Sequence, residues 1–439
     1  MRLRIRRAWT LALALSLVMV LSACGGTKTP NQPAAQQPAP APAEKVTITF
    51  WHSWGENDIP KFERIATEFM NANPNIIVKM TRVPGGETDT QKLMTAVTAG
   101  TGPDVYLLDR FIAAQRAEAG VLEDLSALIT ASNFDTKQFY DWGIKECTWK
   151  GKVWCLPVDT DTRMLFYNKD HFKEAGLDPE KPPKTIDELD QMADKLTKKE
   201  GNKVVRYGFI PWQNQGWHYT WGWAFGAKFY DEATGKVLLD EPAFVKSLEW
   251  QAKYGEKVGK QLDPFAGASG EMSPFIAGLT SMVIDNNYHM DTINRFKPNF
   301  NYGVALIPTA PGVQGPITWA GGWSVVIPKG SKHPKEAFEF LKYYVTKGQE
   351  YWVAEHPNSM PVLKKAAENH PRKGDPVFKQ FIDLLAQAKV RPALPVGAIM
   401  WDEMTLARDK AITGQASPAD AAKAAQQKVQ AELDKVMKK

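Results

Sequence analysis

The amino-acid sequence predicts an α/β protein whose folded body has two domains. Segments rich in β-branched and aromatic residues alternate along the chain with segments whose apolar residues recur at helical spacing. Such alternation favours largely parallel sheets covered by helices. The body, residues 45–439, is also longer than the ~250–300 residues at which a single hydrophobic core stops growing, so a second core is expected.

The first domain begins with a strand, a helix and a second strand. In KVTITFWHSW, the residues Val46, Ile48 and Phe50 alternate with polar residues, as in a half-buried strand. The next apolar periodicity is helical and stops before Pro74, which cannot continue a helix. Strands are predicted within 45–54, 75–84 and 103–109, and helices within 59–74, 88–102 and 110–129.

The strand and helix pattern starts again at residue 151. Residues 151–177 indicate a strand, a polar crossing, a second strand and a helix. Thr185 with Glu188 three positions later has the spacing of a capping box at a helix start. Helices are predicted within 184–201 and 240–259, a strand running into a helix within 279–296, strands within 301–309 and 324–330, and mainly helices from 333 onward.

The N-terminus is typical of a secretory signal peptide, residues 1–23. Four arginines in MRLRIRR precede an apolar run with small residues at its border. The run is shorter than the roughly 20 residues of a spanning helix, which disfavours the alternative, a single-pass anchor.

Cys24 ends the sequence Leu21-Ser22-Ala23-Cys24, which resembles a bacterial lipobox. We therefore expect cleavage before Cys24 and a diacylated cysteine, since two acyl chains anchor a protein stably. Residues 24–44 are rich in Pro, Ala and Gln and form an extended linker in this interpretation. The predicted location is the cell membrane, lipid-anchored on its extracytoplasmic face.

The charge balance argues against a nucleic-acid partner. The formal net charge of +5 includes four arginines of the signal peptide, which leaves about +1 (5 minus 4) for the mature chain. No basic cluster stands out in the body, so the electrostatic basis for binding nucleic acid is missing.

Two further cysteines, Cys147 and Cys155, flank a hairpin-like turn at Lys150-Gly151. A secreted protein permits a disulfide there, and two free buried thiols are the alternative. A metal site is disfavoured because no histidine or further cysteine stands at ligand spacing. No metal or other cofactor is expected.

No catalytic motif was found in the sequence. It has no phosphate loop, no His-Glu-x-x-His and no Gly-x-Ser-x-Gly. Asp159 and Asp161 would share a strand face, and paired carboxylates are what a glycoside hydrolase uses, so an anchored hydrolase is a competing hypothesis. We expect no enzyme activity and no catalytic residues.

Tryptophan is abundant, with 15 residues in the chain and four between Trp212 and Trp223. Flat aromatic faces can stack on sugar rings, although large aromatic residues mostly fill cores. Several tryptophans lie in polar, glycine-rich stretches, WHSWGEN, WQNQGWHYTWGW and TWAGGWS, which a core role alone explains poorly.

Four stretches, within 48–78, 100–125, 151–197 and 321–346, together resemble the extracellular solute-binding proteins of carbohydrate ABC importers. Maltodextrin-binding and glycerol-phosphate-binding proteins belong to this family. The resemblance covers the whole mature body. It implies an α/β, two-lobed periplasmic-binding-protein fold with a hinge of crossing segments and a ligand cleft between the lobes. The implied N-terminal lobe is 45–158 plus 322–368, and the implied C-terminal lobe is 162–318 plus 369–439.

The resemblance also implies ligand-binding residues. Residues of this chain match four kinds of ligand contact in the family. These are an Asp-Arg pair on sugar hydroxyls, a carboxylate near the hinge, aromatic contacts and a glycine-rich segment that returns through the hinge. The implied set is Trp51, Ser53, Trp54, Asp109, Arg110, Asp159, Asp161, His218, Tyr288, Gly322, Trp323 and Trp401, with Glu56 and Gly321 beside them. Trp217 or Trp221 can replace His218 in this interpretation.

The implied function is capture of an extracellular mono- or oligosaccharide and its delivery to the membrane subunits of an ABC permease. The protein is expected to be a monomer. Arg110 and Arg163 leave glycerol phosphate or a related polyol phosphate as an alternative ligand, although the neighbouring Asp residues argue against it. A second alternative is a sugar sensor that presents its ligand to a membrane kinase.

Overall fold

The computed structural model of the chain describes residues 45–55, 58–83, 91–265 and 272–438. These residues belong to one compact unit. The predicted signal peptide, Cys24, the linker up to residue 44 and Glu56 lie outside the described residues. Within the described part, no helix combines the length and apolar composition that a membrane crossing needs.

The described strands are β1 Val46–His52, β2 Ile76–Arg82, β3 Val105–Asp109, β4 Thr148–Trp149, β5 Lys152–Val153, β6 Leu156–Pro157, β7 Arg163–Asn168, β8 Lys198–Glu200, β9 Lys203–Phe209, β10 Tyr230–Asp231, β11 Lys236–Val237, β12 Thr280–Asn286, β13 Tyr302–Ala305 and β14 Trp323–Val326.

The described α-helices are α1 Ile59–Ala72, α2 Gln91–Thr98, α3 Ala113–Glu118, α4 Ser126–Ala131, α5 Asp141–Glu146, α6 Lys169–Glu174, α7 Ile186–Leu196, α8 His218–Ala224, α9 Pro242–Lys257, α10 His289–Phe296, α11 Pro334–Tyr343, α12 Gln349–Glu355, α13 Lys364–Glu368, α14 Pro376–Leu384, α15 Gly397–Thr413 and α16 Pro418–Met437.

Two five-stranded sheets organise the body. The first has the order β2-β1-β3-β14-β6 and the second the order β13-β7-β12-β9-β8. Successive residues of a strand point to opposite faces, and in both sheets the two faces contribute to different apolar clusters. Leu107 of β3 packs in one cluster and Leu108 in another. Both faces of each sheet are therefore buried, as the α/β prediction requires.

The expectation of largely parallel sheets is wrong. β1 pairs in parallel with β2 and β3, and β12 pairs in parallel with β9, but the remaining pairings within the two sheets are antiparallel. Two of the reversed strands, β7 and β14, follow the segments that cross between the sheets. These crossing segments are residues 158–162, before β7, and residues 306–322, before β14.

Helix boundaries follow local sequence signals in several places. α1 buries Phe62, Ile65, Ala66 and Phe69, the face that helical spacing predicted. The Thr185 side chain caps α7 in the predicted capping box with Glu188.

The single helix predicted within 110–129 is instead a 3₁₀ turn, α3 and α4. Gly120 separates the two α-helices because it adopts a φ of 72°, which ends the first helix in the left-handed region. The tryptophan-rich stretch after residue 210, for which the sequence predicted no element, contains the short helix α8.

Candidate ligand-binding site

A cavity of about 780 Å³ lies where the loops that follow β1, β3, β6, β9 and β12 meet the crossing segments. Loops at the carboxyl ends of strands are the usual place for a ligand in an open α/β fold. Both five-stranded sheets therefore contribute residues to its wall.

Six tryptophans line the cavity: Trp54, Trp217, Trp319, Trp323, Trp352 and Trp401. The ring of Trp54 lies 5.3 Å from that of Trp323 and 5.2 Å from that of Trp352. At another part of the wall, the ring centroids of Trp217 and Trp401 are 5.4 Å apart. The cavity thus contains two groups of indoles, each able to offer an apolar face to a bound ring.

The other tryptophans of the WQNQGWHYTWGW stretch are core residues. Trp212, Trp221 and Trp223 are buried. The indole N–H of Trp221 donates to the carbonyl of Pro211 at 2.8 Å, and that of Trp212 donates to the carbonyl of Leu262 at 2.7 Å. The tryptophans of this stretch therefore have two roles: Trp217 lines the cavity, and the other three belong to the core.

Asp161 and Arg163 form one ion pair on the cavity wall. Arg163 Nη1 donates to Asp161 Oδ1 at 2.6 Å, and the guanidinium lies 3.3 Å from the ring centre of Trp319. Asp161 also accepts the N–H of Gly321 at 2.8 Å and the amide of Asn286 at 2.9 Å. These contacts fix the carboxylate and join the crossing segment to β12.

Asp109 is held by a second set of charges. Arg391 Nη2 donates to Asp109 Oδ1 at 3.1 Å, and its Nε lies 3.2 Å from Glu146. Glu146 also pairs with Arg110 Nε at 3.0 Å. Arg391 lines the cavity, whereas Glu146 is buried beneath it.

Arg110 acts as a clasp beneath the cavity. Its side chain is fully buried, and its guanidinium donates to the carbonyls of Asp159, Gly321 and, at 3.2 Å, Trp323. These carbonyls belong to two crossing segments, so Arg110 holds the segments together.

Gly322 permits this close approach of the crossing segments. Its φ is 126°, a conformation that other residues rarely adopt, and a Cβ at this position would lie 2.4 Å from the carbonyl oxygen of Asp159. Any side chain here would push the two segments apart.

Asp159 has a carboxyl group with few partners. Its Oδ1 accepts the N–H of Trp323 at 2.7 Å. Burial raises the pKa of Asp159 to about 7. The nearby carboxylates of Asp161 and Asp109 also act to raise this pKa, whereas the N–H of Trp323 and the charge of Arg110 act to lower it.

Nine of the twelve residues expected to bind ligand line the cavity. They are Ser53, Trp54, Asp109, Asp159, Asp161, Tyr288, Gly322, Trp323 and Trp401. Trp51 lines a separate surface pocket beside α2, and Arg110 is the buried clasp. His218 is fully buried behind Trp401, with 4.4 Å between the ring centres.

Further lining residues were not predicted. They include Asp58, Lys61, Gln215, Asn286, Asp291, Trp319, Trp352, His356 and Arg391. Trp319 stands in TWAGGWS, which the sequence had already marked as unusual, whereas no local motif distinguishes Arg391 from the other arginines of the chain.

Cys147 and Cys155 are joined by a disulfide and buried beside the β4–β5 hairpin. In the described ranges, no group of three His, Cys, Asp or Glu side chains is arranged to hold a metal ion.

Comparisons with known proteins place the chain in a family. The family model described as bacterial extracellular solute-binding protein matches residues 54–351. The maltotriose-binding protein of Pyrococcus abyssi is 25% identical over 361 residues, covering 81% of this chain and 75% of the relative. The maltodextrin-binding protein MdxE of Bacillus subtilis is 26% identical over 412 residues, covering 90% of each chain.

Solved structures of similar fold support the same assignment. The structure of CpMnBP1 with mannobiose bound superposes with a TM-score of 0.77 at 31% identity, covering 88% of this chain and all of the other. This agreement supports the predicted two-lobed periplasmic-binding-protein fold. The chain belongs to the family of bacterial extracellular solute-binding proteins.

Proposed function

We propose that the chain binds a neutral oligosaccharide of two or more rings in this cavity and delivers it to an ABC permease. The observation that carries the proposal is the composition of the wall: six tryptophans beside ion-paired Asp and Arg side chains in a space of about 780 Å³. Indole faces suit the C–H faces of sugars, and fixed carboxylates and guanidinium groups suit their hydroxyls. Relatives named as binding maltotriose, maltodextrin and mannobiose support the same ligand class.

The charge of the wall disfavours an anionic ligand such as a glycerol phosphate. Acidic side chains outnumber basic ones five to three: Asp58, Asp109, Asp159, Asp161 and Asp291 against Lys61, Arg163 and Arg391. Arg163 and Arg391 are already paired with carboxylates, so neither guanidinium is left unpaired for a phosphate.

Delivery requires closure around the ligand, for which we propose the lobes 45–158 plus 322–368 and 162–318 plus 369–439. The two sheets and the crossings between them support this division. Ligand can drive closure only through its greater affinity for the closed state. In this role the protein performs no chemistry on the sugar.

A thermal-shift screen tests the proposal. The chain from residue 43 is heated with mono-, di- and oligosaccharides, including mannobiose and maltotriose, and with sn-glycerol 3-phosphate. A ligand at 100 times its dissociation constant adds about 2.7 kcal/mol to the free energy of unfolding, which is easily detected as a rise in Tm. The proposal predicts a rise with oligosaccharides only, and chromatography of the recovered sugar should show it unchanged.

A rise with glycerol phosphate alone would replace the neutral-sugar proposal. A sugar that is cleaved during incubation would instead favour the hydrolase hypothesis.

We propose further that Cys24 is diacylated and that the protein acts as a monomer tethered by residues 24–44. The lipobox-like sequence before Cys24 supports the anchor. Detergent phase partitioning of the expressed protein should recover the wild type in the detergent-rich phase and Cys24→Ser in the aqueous phase. Light scattering should give the mass of one chain.

A further inference from the structure

The charged groups beneath and along the cavity do not balance. Four carboxylates face three guanidinium groups: Asp109, Glu146, Asp159 and Asp161 against Arg110, Arg163 and Arg391. Arg391 links Asp109 to Glu146, Arg110 completes that set, and Arg163 pairs with Asp161. Asp159 is the carboxyl group left over.

The surroundings of Asp159 favour a proton on it. Arg110 reaches the backbone carbonyl of Asp159, and no cation forms an ion pair with its carboxyl group in the described part of the chain. Oδ1 accepts the N–H of Trp323 at 2.7 Å, whereas Oδ2 has no donor among the described residues. The residue is only 5% exposed and that exposure faces the cavity it lines. A lone carboxylate in such a place is costly, while a neutral acid has a proton to donate.

We propose that Asp159 recognises the ligand as a neutral carboxylic acid, which donates from Oδ2 to a hydroxyl, ring or glycosidic oxygen of the sugar. The inference rests on the proposed function and adds a specificity-determining residue to it. Of the remaining wall carboxylates, Asp58, Asp109 and Asp161 form ion pairs, and Asp291 accepts the side-chain amide of Asn358. In this proposal they accept sugar O–H groups, so Asp159 is the carboxyl group that selects an acceptor on the ligand.

The raised pKa of Asp159, about 7, supports this role because the free protein then loses the proton near neutrality. The charged and titratable groups that interact with it are Asp109 of β3, Arg110 in the 3₁₀ turn after β3, Asp161 in the crossing 158–162, Tyr288 just before α10 and Tyr344 in the helical turn 344–348. The ion-pair partners of the charged members are Glu146 of α5, Arg163 of β7 and Arg391 between α14 and α15. Burial raises the pKa of both tyrosines well above 10.0, so they stay neutral across this range.

This proposal fixes how the affinity for sugar depends on pH. The bound sugar stabilises the protonated acid, so binding above neutrality takes up one proton from solvent. Affinity is then constant below about pH 7 and falls by up to tenfold for each pH unit above it.

Calorimetric titration of the full mature chain with mannobiose and maltotriose tests the inference. The dissociation constant should rise by up to about 100-fold between about pH 7 and about pH 9. Repeating the titration in two buffers of different ionisation enthalpy, above neutrality, should reveal uptake approaching one proton per ligand. Asp159→Asn keeps a donor but cannot titrate, so its affinity should lose the pH slope and the proton uptake.

Asp109→Asn is the matched control, because Asp109 is a paired carboxylate of the same wall. Its affinity should be lower than that of the wild type but should keep the pH slope. A wild-type affinity that is flat over this pH range, or a proton released on binding, would overturn the inference. So would tighter binding of an amino sugar as pH rises, since that requires a carboxylate.

A ligand-free measurement separates this inference from the proposed function. Carbon-13 NMR of aspartate-labelled protein, with Asp159→Asn to identify the resonance, should show the Asp159 carboxyl titrating near neutrality. Titration below about pH 5 would overturn the role of Asp159 even if sugars bind. Failure of every sugar to bind at any pH would overturn the proposed function itself.

Discussion

Trp401 both lines the cavity and packs against the aromatic residues behind it. Its indole lines the cavity and packs against Trp217, His218 and Phe111. We predict that Trp401→Ala weakens sugar binding by about 2 kcal/mol, or roughly 30-fold, as expected for an aromatic anchor. Calorimetry checks this, with Trp51→Ala as control because Trp51 lies in a different pocket. Equal losses in the two variants would contradict a ligand contact by Trp401.

Asp159 should also make the stability of the folded protein depend on pH. The pKa of Asp159 is about 7 in the folded state and near 3.8 in the unfolded state. The free energy of unfolding that this difference contributes is fully present below about pH 4 and is lost as the pH rises to about 7. Asn does not titrate. We therefore predict that Asp159→Asn gains Tm relative to the wild type as pH rises from about 4 to about 7, with a plateau above.

Thermal unfolding across that pH range measures the effect. Glu249→Gln, on the exposed face of α9, is the control and should show little change. A difference between Asp159→Asn and the wild type that does not vary with pH would contradict a raised pKa.

The sequence identified much of the cavity at the level of residues. Trp54 and Trp323 lie in stretches where tryptophan and glycine cluster, whereas the family resemblance pointed to Asp161. Arg110 and Arg391 show why other residues could not. Arg110 adjoins Asp109 in sequence, yet backbone carbonyls occupy its guanidinium, while the arginine that pairs with Asp109 is 282 positions away.

Among the secondary-structure elements, the β4–β5 hairpin is stabilised by the Cys147–Cys155 disulfide, which closes a loop with a sequence separation of 8. The loop-entropy model gives about 2.5 kcal/mol for a loop of this length. We predict that Cys147→Ala with Cys155→Ala unfolds at a lower Tm than the oxidised wild type. Reduction of the wild type should lower its Tm in the same way and leave the double variant unchanged. Equal melting of both oxidised proteins would show that the disulfide does not contribute.

Elements with complete local signals were predicted well. α1 has a clear apolar face, α7 has its capping box, and β3 is a short apolar run. Strand direction was not predicted well, because whether β14 runs with or against β3 depends on the route of the chain through the crossing before it. No periodicity within a strand carries that information.

For the whole molecule, the position of the cavity between two sheets predicts a change of shape on binding. We expect the radius of gyration, measured by small-angle X-ray scattering, to fall when mannobiose or maltotriose is added. The Trp401→Ala variant at the same sugar concentration should scatter like the free protein. An unchanged radius in the wild type at saturating sugar would contradict closure.

Length alone predicts two domains, because one core cannot serve so long a chain. The lobed arrangement needed the family resemblance, since residues far apart in sequence build each sheet. β14 completes the first sheet although more than two hundred residues separate it from β3.

The six cavity tryptophans have a practical consequence. Indole emission depends on the polarity around the ring, so a sugar that displaces water from the cavity changes the fluorescence of several rings at once. These six are a large share of the 15 tryptophans in the chain. The protein therefore carries its own optical reporter of occupancy, and it could be developed into a label-free sugar sensor without attaching a dye.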